Sequence, residues 1–249
     1  MKKALAIILC VVVLSAVAVY GTVAYLMGSD SDVNVMELGN VAIDQIEQER
    51  GENGDLQDYT QDKLMLPAYY PGSSLPWAPA RDWVVPGDQA WKTVEEGANA
   101  LDKFVTVKNT GTNAAYVRTV FAFEVVDEND ENIHVVYNAE NVIDKPTYDW
   151  SYFGNDQGIL VNIDGTNYWV MVATYEEALA PNAETIPSLK QVYLDKKADN
   201  ADVAAYGESY EILVFTQAVQ AQMGELTPSE ALDEAFGKIT VNNHPWING

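Results

Sequence analysis

The sequence predicts a mainly β protein, an antiparallel β-sandwich of jelly-roll type with one short C-terminal helix, preceded by an N-terminal apolar signal helix. Three observations support this fold class. Short runs of β-branched and aromatic residues recur along the chain, separated by Gly, Asn and Asp turns. Of the 249 residues, 48% are hydrophobic and 10% aromatic, which is enough to bury a core. Helix start and stop signals are strong in only one segment, near the C-terminus.

The N-terminus has the pattern of an export signal. Two lysines precede the apolar run Ala4–Val19, and the small residues Thr22 and Ala24 suit positions −3 and −1 of a signal peptidase site. Cleavage after Ala24 is therefore predicted. An uncleaved anchor remains the alternative, because the run Ala4–Met27 is long enough to span a bilayer. The predicted organisation is a leader over residues 1–24, a mature N-terminal segment over 25–39 and a β-sandwich domain over 40–249.

The charge balance restricts the partners. The chain carries 14 basic and 37 acidic side chains, so its formal net charge is −23. Removal of a leader containing Lys2 and Lys3 leaves 12 basic side chains and a net charge of −25. Phosphate contacts require a basic face, so nucleic-acid binding is not expected. Membrane contact is predicted only through the N-terminal segment before cleavage, since an acidic surface does not dock on anionic lipid.

The cysteine content indicates the compartment. Cys10 is the only cysteine, and it lies inside the apolar leader. The mature chain is therefore expected to lack disulfides, thiol nucleophiles and thiolate metal sites. An exported protein without disulfides fits a Gram-positive bacterium better than a eukaryotic secretory route.

Alternating and turn residues place the strands of the first half. Asn40 to Ile46 is predicted as the first strand, and the polar residues 47–63 as an exposed loop. Five prolines exclude a helix or a central strand from Pro67 to Gly87. Phe104–Lys108 and Ala115–Val125 flank an Asn-Thr-Gly turn and are predicted to form a hairpin.

The second half continues with β signals and ends in a helix. Ile159–Ile163 and Tyr168–Ala173 flank an Asp-Gly turn and predict a second hairpin. Ile186–Leu194 and Tyr210–Val219 are two further predicted strands. Thr227, Pro228 and Glu230 form a capping box that predicts a helix ending at Gly237. Its predicted apolar face consists of Ala231, Leu232, Ala235 and Phe236.

Several motifs occur in an order found in one family of exported proteins. They are Gly21-Thr22-Val23-Ala24-Tyr25-Leu26, Gly39-Asn40-Val41, Val85-Pro86-Gly87-Asp88, Val107-Lys108-Asn109-Thr110-Gly111 and the segment from Ala231 to Gly237. In these features the chain resembles alternate-signal exported proteins of Gram-positive bacteria, which are processed by a SipW-type signal peptidase. The family includes TasA-type biofilm matrix fibre proteins and camelysin. Leu26 stands where the family usually has Phe, so the leader motif departs from the pattern there.

The resemblance implies an exported structural protein, secreted or held at the cell surface or in the extracellular matrix. Its implied partners are a SipW-type signal peptidase and further copies of itself, joined by strand addition. Alternating apolar residues identify the predicted assembly segment, which contains Val33, Val35, Leu38, Val41 and Ile43. The other interpretation is that this segment is the first strand of its own domain, and for Val41 to Ile46 that interpretation is preferred.

The sequence indicates no catalytic site, so a non-enzymatic function and no cofactor are predicted. His134 and His244 are 110 residues apart, outside any His-Glu-x-x-His pattern, and are predicted to be surface or cap residues. Alternate oxygen ligands in the acidic loop make Asp127, Asn129 and Glu131 weak calcium candidates. The expected loop glycine is replaced by Asn132, so a solvated acidic loop is preferred and no metal site is predicted.

Two other functions stay open. Aromatic clusters could stack on sugar rings in an extracellular carbohydrate-binding module, although filling of the core and pinning of loops is the preferred interpretation. The clusters are Tyr69, Tyr70, Trp77 and Trp83, and Tyr148, Trp150, Tyr152 and Phe153. The resemblance also leaves a camelysin-like peptidase as an alternative, for which tightly bound zinc would be the sign.

Overall fold

The computed structural model describes residues 41–51, 55–61, 63, 65, 67–68, 77–79, 100–138, 148–151, 158–207, 209–221 and 226–247. The leader, the segment 25–39 and the cleavage residues Thr22 and Ala24 lie outside these ranges. The described chain is mostly β, and most of its strand pairs are antiparallel. None of the helices in these ranges is long and apolar enough to cross a membrane.

Thirteen strands and two helices are described. The strands are β1 (Ile43–Arg50), β2 (Leu56–Asp58), β3 (Pro67–Ala68), β4 (Trp77–Pro79), β5 (Leu101–Asp102), β6 (Phe104–Asn109), β7 (Ala115–Val125), β8 (Ile133–Tyr137), β9 (Tyr148–Ser151), β10 (Ile159–Ile163), β11 (Thr166–Tyr175), β12 (Leu189–Asp195) and β13 (Ile212–Gln220). The helices are α1 (Asn200–Ala205) and α2 (Pro228–Phe236).

These strands form three sheets. The first has the order β2-β1-β6, and the second has the order β10-β11-β7-β13 with β9 also on β11. The third has the order β3-β12-β8-β4 with β5 also on β12, and its outer pairs β3–β12 and β4–β8 are parallel. Main-chain hydrogen bonds connect the first sheet to the third. Ser188 N, just before β12, donates to Val105 O of β6, and Lys103 N, just before β6, donates to Lys190 O of β12, each at 2.9 Å.

The hydrophobic core lies between the second sheet and the other two. Its largest cluster of buried side chains draws on β1, β6, β7, β8, β9, β11, β12 and β13. On β7, Phe121 and Phe123 face this cluster, whereas Val120 and Ala122 face a smaller cluster that includes Ile239. Both faces of β7 are therefore covered, and its side chains are buried almost without interruption. Such a strand reads as a continuous apolar run rather than an alternating one.

The hairpin predicted for Phe104–Val125 is wrong, because its two strands belong to different sheets. Strand β6 pairs with β1, and β7 pairs with β11 and β13. The intervening turn is held from outside: the N–H groups of Thr110 and Gly111 both donate to Ala42 O. The buried Asn109 side chain donates to the carbonyl oxygens of Asn113 and Leu179, each at 2.8 Å. The Asn-Thr-Gly turn is therefore a crossing between sheets.

The exposed loop predicted for residues 47–63 is also wrong in part. Strand β1 continues to Arg50, and β2 pairs with it antiparallel over three residues. The charged side chains of this segment suggest exposure, but Glu49 is only 3% exposed and Arg50 is buried against Asp102. Polarity indicates exposure only when the charges have no buried partners.

Other sequence predictions are confirmed. Strands β10 and β11 form the Asp-Gly hairpin, with Asp164 at φ 51° and Gly165 at φ 96°. Strands β12 and β13 lie within a few residues of the predicted segments. Helix α2 has the predicted Thr227–Glu230 capping box and ends at Gly237.

Two details of the helices differ from the prediction. Leu232 is buried in α2, but Ala235, assigned to the same apolar face, is exposed. Helix α1 was not predicted, because it has six residues and its capping box pairs Asp199 with Asp202 rather than with Glu or Gln.

Glu49 is the most strongly bound carboxylate of the first sheet. Lys63 Nζ lies 2.5 Å from its Oε2, and the Gln57 amide and Thr60 hydroxyl donate to its Oε1 at 2.8 and 2.7 Å. Burial alone raises the pKa of this carboxyl, but these three donors outweigh burial and lower the pKa to about 2. The charged form is therefore favoured in the folded state.

Glu49→Gln is expected to lower the free energy of unfolding at pH 7 by about 2 kcal/mol. A pKa lowered on folding gives stability that is present above the unfolded value and lost as the pH falls through the folded value. The difference between wild type and variant should therefore shrink between pH 4.5 and about 2. Urea denaturation at several pH values measures it. Glu128→Gln, at an exposed carboxylate, is the control, and equal pH profiles for both variants would contradict the assignment.

Candidate functional site

Strand β13 forms one edge of the second sheet. It pairs with β7 along its whole length, from Ile212 opposite Phe123 to Gln220 opposite Ala115, without a register shift. No described strand pairs with its other side. Within the described ranges, the outer main-chain groups of this nine-residue strand therefore have no partner strand, an arrangement that suits pairing with another chain.

The hydrogen-bond pattern shows which groups of β13 point outward. Glu124 N donates to Glu211 O, and Ala221 N donates to Ala114 O. In an antiparallel ladder, hydrogen-bonded pairs alternate with non-bonded pairs, so the odd-numbered residues of β13 bond to β7. The even-numbered residues direct their N–H and C=O groups to the open side: Ile212, Val214, Thr216, Ala218 and Gln220.

The β13 edge lacks the usual protection of an exposed strand. Its sequence, Ile-Leu-Val-Phe-Thr-Gln-Ala-Val-Gln, contains no charge and no proline. The other described edge strands are shorter: two or three residues in β2, β3, β4 and β5, four in β9, five in β10 and six in β6. Proteins commonly block edges with charges, prolines, bulges or short strands. Among the described strands, β13 is therefore the best suited to accept a further strand.

Side chains fix β13 from the core side. The Thr216 hydroxyl donates to Gln45 Oε1 at 2.7 Å and lies 3.2 Å from the Thr119 hydroxyl. Thr216 and Ala218 are almost completely buried. An incoming strand would meet a main-chain edge that is already held in its extended conformation, which reduces the ordering cost of pairing.

Carboxylates cluster at the start of β13. Glu211 N donates to Glu124 Oε2 at 2.8 Å, and Glu211 Oε2 accepts from the Tyr168 hydroxyl at 2.9 Å. Burial raises the pKa of Glu124, and the charges of Glu211 and Asp130 raise it further, against the lowering effect of the Glu211 N–H. A pKa raised on folding means that Glu124 adds stability as the pH falls and loses it as the pH rises.

The structure divides the predicted assembly segment. Val41 and Ile43 are fully buried in the chain's own core, and Ile43 begins β1 opposite Asn109 of β6. Their side chains are therefore used within the subunit. Val33, Val35 and Leu38 lie outside the described residues. A donated strand would have to come from the part of the segment before Val41.

The acidic loop is ordered by Asp130 rather than by the calcium candidates. Asp130 accepts from the N–H groups of Val126 and Asn132 and from the Tyr206 hydroxyl. Asp127 caps the N–H of Asn129 at 2.7 Å, and Glu131 is exposed. Within the described ranges, no three His, Cys, Asp or Glu side chains are grouped to hold a metal ion.

The two histidines are buried, so the predicted surface or cap position is wrong. His134 is 4% exposed on β8, where its Nε2 lies 2.7 Å from Asp195 Oδ2 and its ring stacks on Tyr193. His244 is 7% exposed, and burial lowers its pKa. His134 lies on β8, whereas His244 lies in the turns after α2, with its ring near Trp246. The sequence does contain a signal for the burial of His134: the apolar residues on either side of it, which form the buried strand β8.

Part of the second aromatic cluster belongs to the core. The Tyr148 hydroxyl donates to Ile186 O at 2.7 Å, and the Trp150 ring packs on Phe121 and Tyr137. These two rings are therefore not a platform for sugars. Five members of the two clusters lie outside the described residues: Tyr69, Tyr70, Trp83, Tyr152 and Phe153. For Trp77 the structure gives the strand position alone.

Comparison with known proteins identifies no relative. No protein-family model matches the chain, and no curated protein and no solved structure matches it. The function must therefore be argued from the geometry of the chain itself, and the open edge of β13 is its most distinctive feature.

Proposed function

We propose that this protein is an exported, non-enzymatic structural protein that assembles with copies of itself by strand addition at the β13 edge. The donor is the segment Leu26–Leu38 of a neighbouring subunit. The observation that carries the proposal is the length of β13, nine residues without charge, proline or bulge and with five outward main-chain pairs.

The donor segment suits this edge in length and composition. Val33 and Val35 alternate, and the segment has enough residues to cover the nine of β13. Main-chain hydrogen bonds would supply the affinity, and the alternating side chains would fix the register. Because Val41 and Ile43 remain in their own subunit, the donor would be joined to its domain directly before β1.

The finer fold and the location belong to the same proposal. The sheets would close as an antiparallel β-sandwich of jelly-roll type, which the crossing from β6 to β7 between sheets supports. Export would use a SipW-type signal peptidase, and the assembled protein would lie at the cell surface or in the extracellular matrix of a Gram-positive bacterium. The apolar leader and its Thr22–Ala24 cleavage pattern support export.

Charge should control the assembly. The mature chain carries a net charge of −25, so its subunits repel one another. Acid removes part of this charge, and salt screens it over distances beyond about 10 Å at ~0.1 M. The pKa of Glu124, which lies beside the start of β13, is raised. Its carboxyl group therefore becomes neutral at a higher pH than that of an ordinary glutamate. Acid or salt should therefore promote fibres.

The mature chain is expected to form fibres, whereas a variant lacking residues 26–38 should remain a folded monomer. A second variant, Val214→Pro, removes an outward N–H without removing a bond to β7, so it should also stay monomeric. Val214→Thr keeps both the branched side chain and the N–H, and it is the matched control that should assemble. Circular dichroism reports folding, and light scattering against pH with electron microscopy reports fibres.

A peptide of residues 26–38 separates donor from acceptor. It should bind the deletion variant and should not bind Val214→Pro. If the deletion variant assembles as readily as the mature chain, this segment is not the donor. If Val214→Pro assembles normally, the acceptor is not β13. If the mature chain never assembles at any pH or salt concentration, it is a monomeric surface module and the proposal fails.

A further inference from the structure

A polar cleft of about 220 Å³ lies beside helix α2, on the face of the second sheet opposite the main core. Its floor is a cross-strand row in which Asp149 of β9, Thr174 of β11 and Arg118 of β7 are direct neighbours. The next row contributes Ser151 opposite Val172. Ser229 and Asp233 of α2 and the following Lys238 and Ile239 form the wall.

The cleft contains charged groups that are already paired and two that have no partner among the described residues. Arg118 is occupied: it donates to Gln217 Oε1 at 2.7 Å, to Asp233 Oδ1 at 2.6 Å and to Gly237 O at 2.9 Å. Asp149 and Lys238 are exposed, and within the described part of the chain neither forms an ion pair or a side-chain hydrogen bond. One unpaired negative group and one unpaired positive group thus line the same small space.

Three further side chains of the cleft carry hydroxyl groups. Ser151 and Thr174 lie on the floor beside Asp149, and Ser229 lies on the helix wall. Their hydroxyl groups can both donate and accept. The buried side chains of Val172 and Ile239 add a small apolar surface. The ordered Arg118 contacts hold α2 in place, so the cleft is largely preformed.

We propose that this cleft binds a small zwitterion of the α-amino acid class. The ligand's ammonium group donates to the Asp149 carboxylate and to the neighbouring hydroxyl groups of Ser151 and Thr174. Its carboxylate accepts from Lys238 and Ser229, and a short side chain rests on Val172 and Ile239. A volume of about 220 Å³ suits a molecule of that size. Charge-assisted hydrogen bonds at both ends give the selectivity for a zwitterion.

L-alanine is the probe for isothermal titration of the mature chain. Two derivatives each remove one charge: N-acetyl-L-alanine lacks the ammonium group, and L-alanine methyl ester lacks the carboxylate. Both should bind at least about tenfold more weakly than L-alanine, because each loses one charge-assisted contact. Asp149→Asn should weaken L-alanine binding by about tenfold, and so should Lys238→Gln.

A matched control removes a charge elsewhere in the same sheet. Asp164→Asn changes the β10–β11 turn, at the far end of β11 from the cleft, and should bind L-alanine as wild type does. Absence of L-alanine binding would overturn the proposal. Equal binding of L-alanine and both derivatives would also overturn it, as would L-alanine binding that Asp149→Asn and Lys238→Gln leave unchanged. Binding in the monomeric deletion variant keeps this test independent of fibre formation.

Discussion

Asp102→Asn is expected to lower the free energy of unfolding by about 3 kcal/mol. Asp102 Oδ2 lies 2.5 Å from Arg50 Nε, and Oδ1 lies 2.5 Å from Arg50 Nη2. The Gln191 amide donates to the same Oδ1 at 2.8 Å. One carboxylate therefore holds β1, β5 and β12 together.

The size of this effect follows from burial. The side chains of Arg50 and Asp102 are 9% and 11% exposed, so water cannot replace the lost contacts. The asparagine amide keeps the shape but removes the charge, and it leaves the guanidinium group of Arg50 without its carboxylate. Removing one partner of a buried pair costs more than the pair itself contributes, because the other charge stays buried.

Urea denaturation at pH 7 measures the Asp102 effect. Asp58→Asn is the matched control, since Asp58 is exposed on β2, and it should change the free energy of unfolding by less than about 0.5 kcal/mol. A loss of the same small size for Asp102→Asn would show that this ion pair does not join the first and third sheets.

Arg118→Met is expected to lower the free energy of unfolding by about 2–3 kcal/mol and to loosen α2. The three bonds of Arg118 reach Gln217 on β13, Asp233 in α2 and Gly237 at the helix end. Its side chain is 3% exposed, whereas that of Asp233 is 37% exposed and can be hydrated after the change. Most of the cost therefore comes from Gln217 Oε1 and the Gly237 carbonyl, which lose their donor.

Hydrogen exchange distinguishes loosening of α2 from general destabilisation. The amides of residues 229–236 in α2 should exchange faster in Arg118→Met, while those of β7 and β11 keep most of their protection. Glu234→Gln, at an exposed position of α2, is the control and should leave both sets unchanged. Uniformly faster exchange across the sheet would mean that Arg118 does not act mainly as the anchor of this helix.

The sequence predicts the local structure well where the signal is local. The Asp-Gly turn gives the β10–β11 hairpin, and the Thr227–Glu230 capping box gives α2. In both cases the residues that specify the structure are within a few positions of one another, so no distant partner can change the outcome.

Pairing across long sequence distances is where prediction fails. The turn after Asn109 has the composition of a hairpin turn, but its donors bond to Ala42 and its strands join different sheets. Glu49 and Arg50 appear solvated in the sequence because Lys63 and Asp102, their partners, lie 14 and 52 residues further on. A single sequence does not reveal which of many charges will pair.

The candidate site was predicted only in part. Strand β13 was identified as a strand, but its position at a sheet edge depends on the order of strands, which the alternation of residues does not encode. One signal was available: the run Ile212–Gln220 has no charge in a chain with 51 charged side chains of the four acidic and basic types. No local sequence pattern indicates the cleft, because its cross-strand row of Asp149, Thr174 and Arg118 comes from three different strands.

The placement of β13 beside β7 also determines the order of events when the protein folds. Thr119 and Thr216, which lie opposite each other in this ladder, are 97 residues apart in the chain. Strand β7 therefore leaves the ribosome, and any export channel, long before its neighbour. Until β13 arrives, the long apolar β7 has one unsatisfied side and can pair with the wrong chain. Folding of the second sheet is therefore expected to be slow and to finish late, as in topologies dominated by distant contacts.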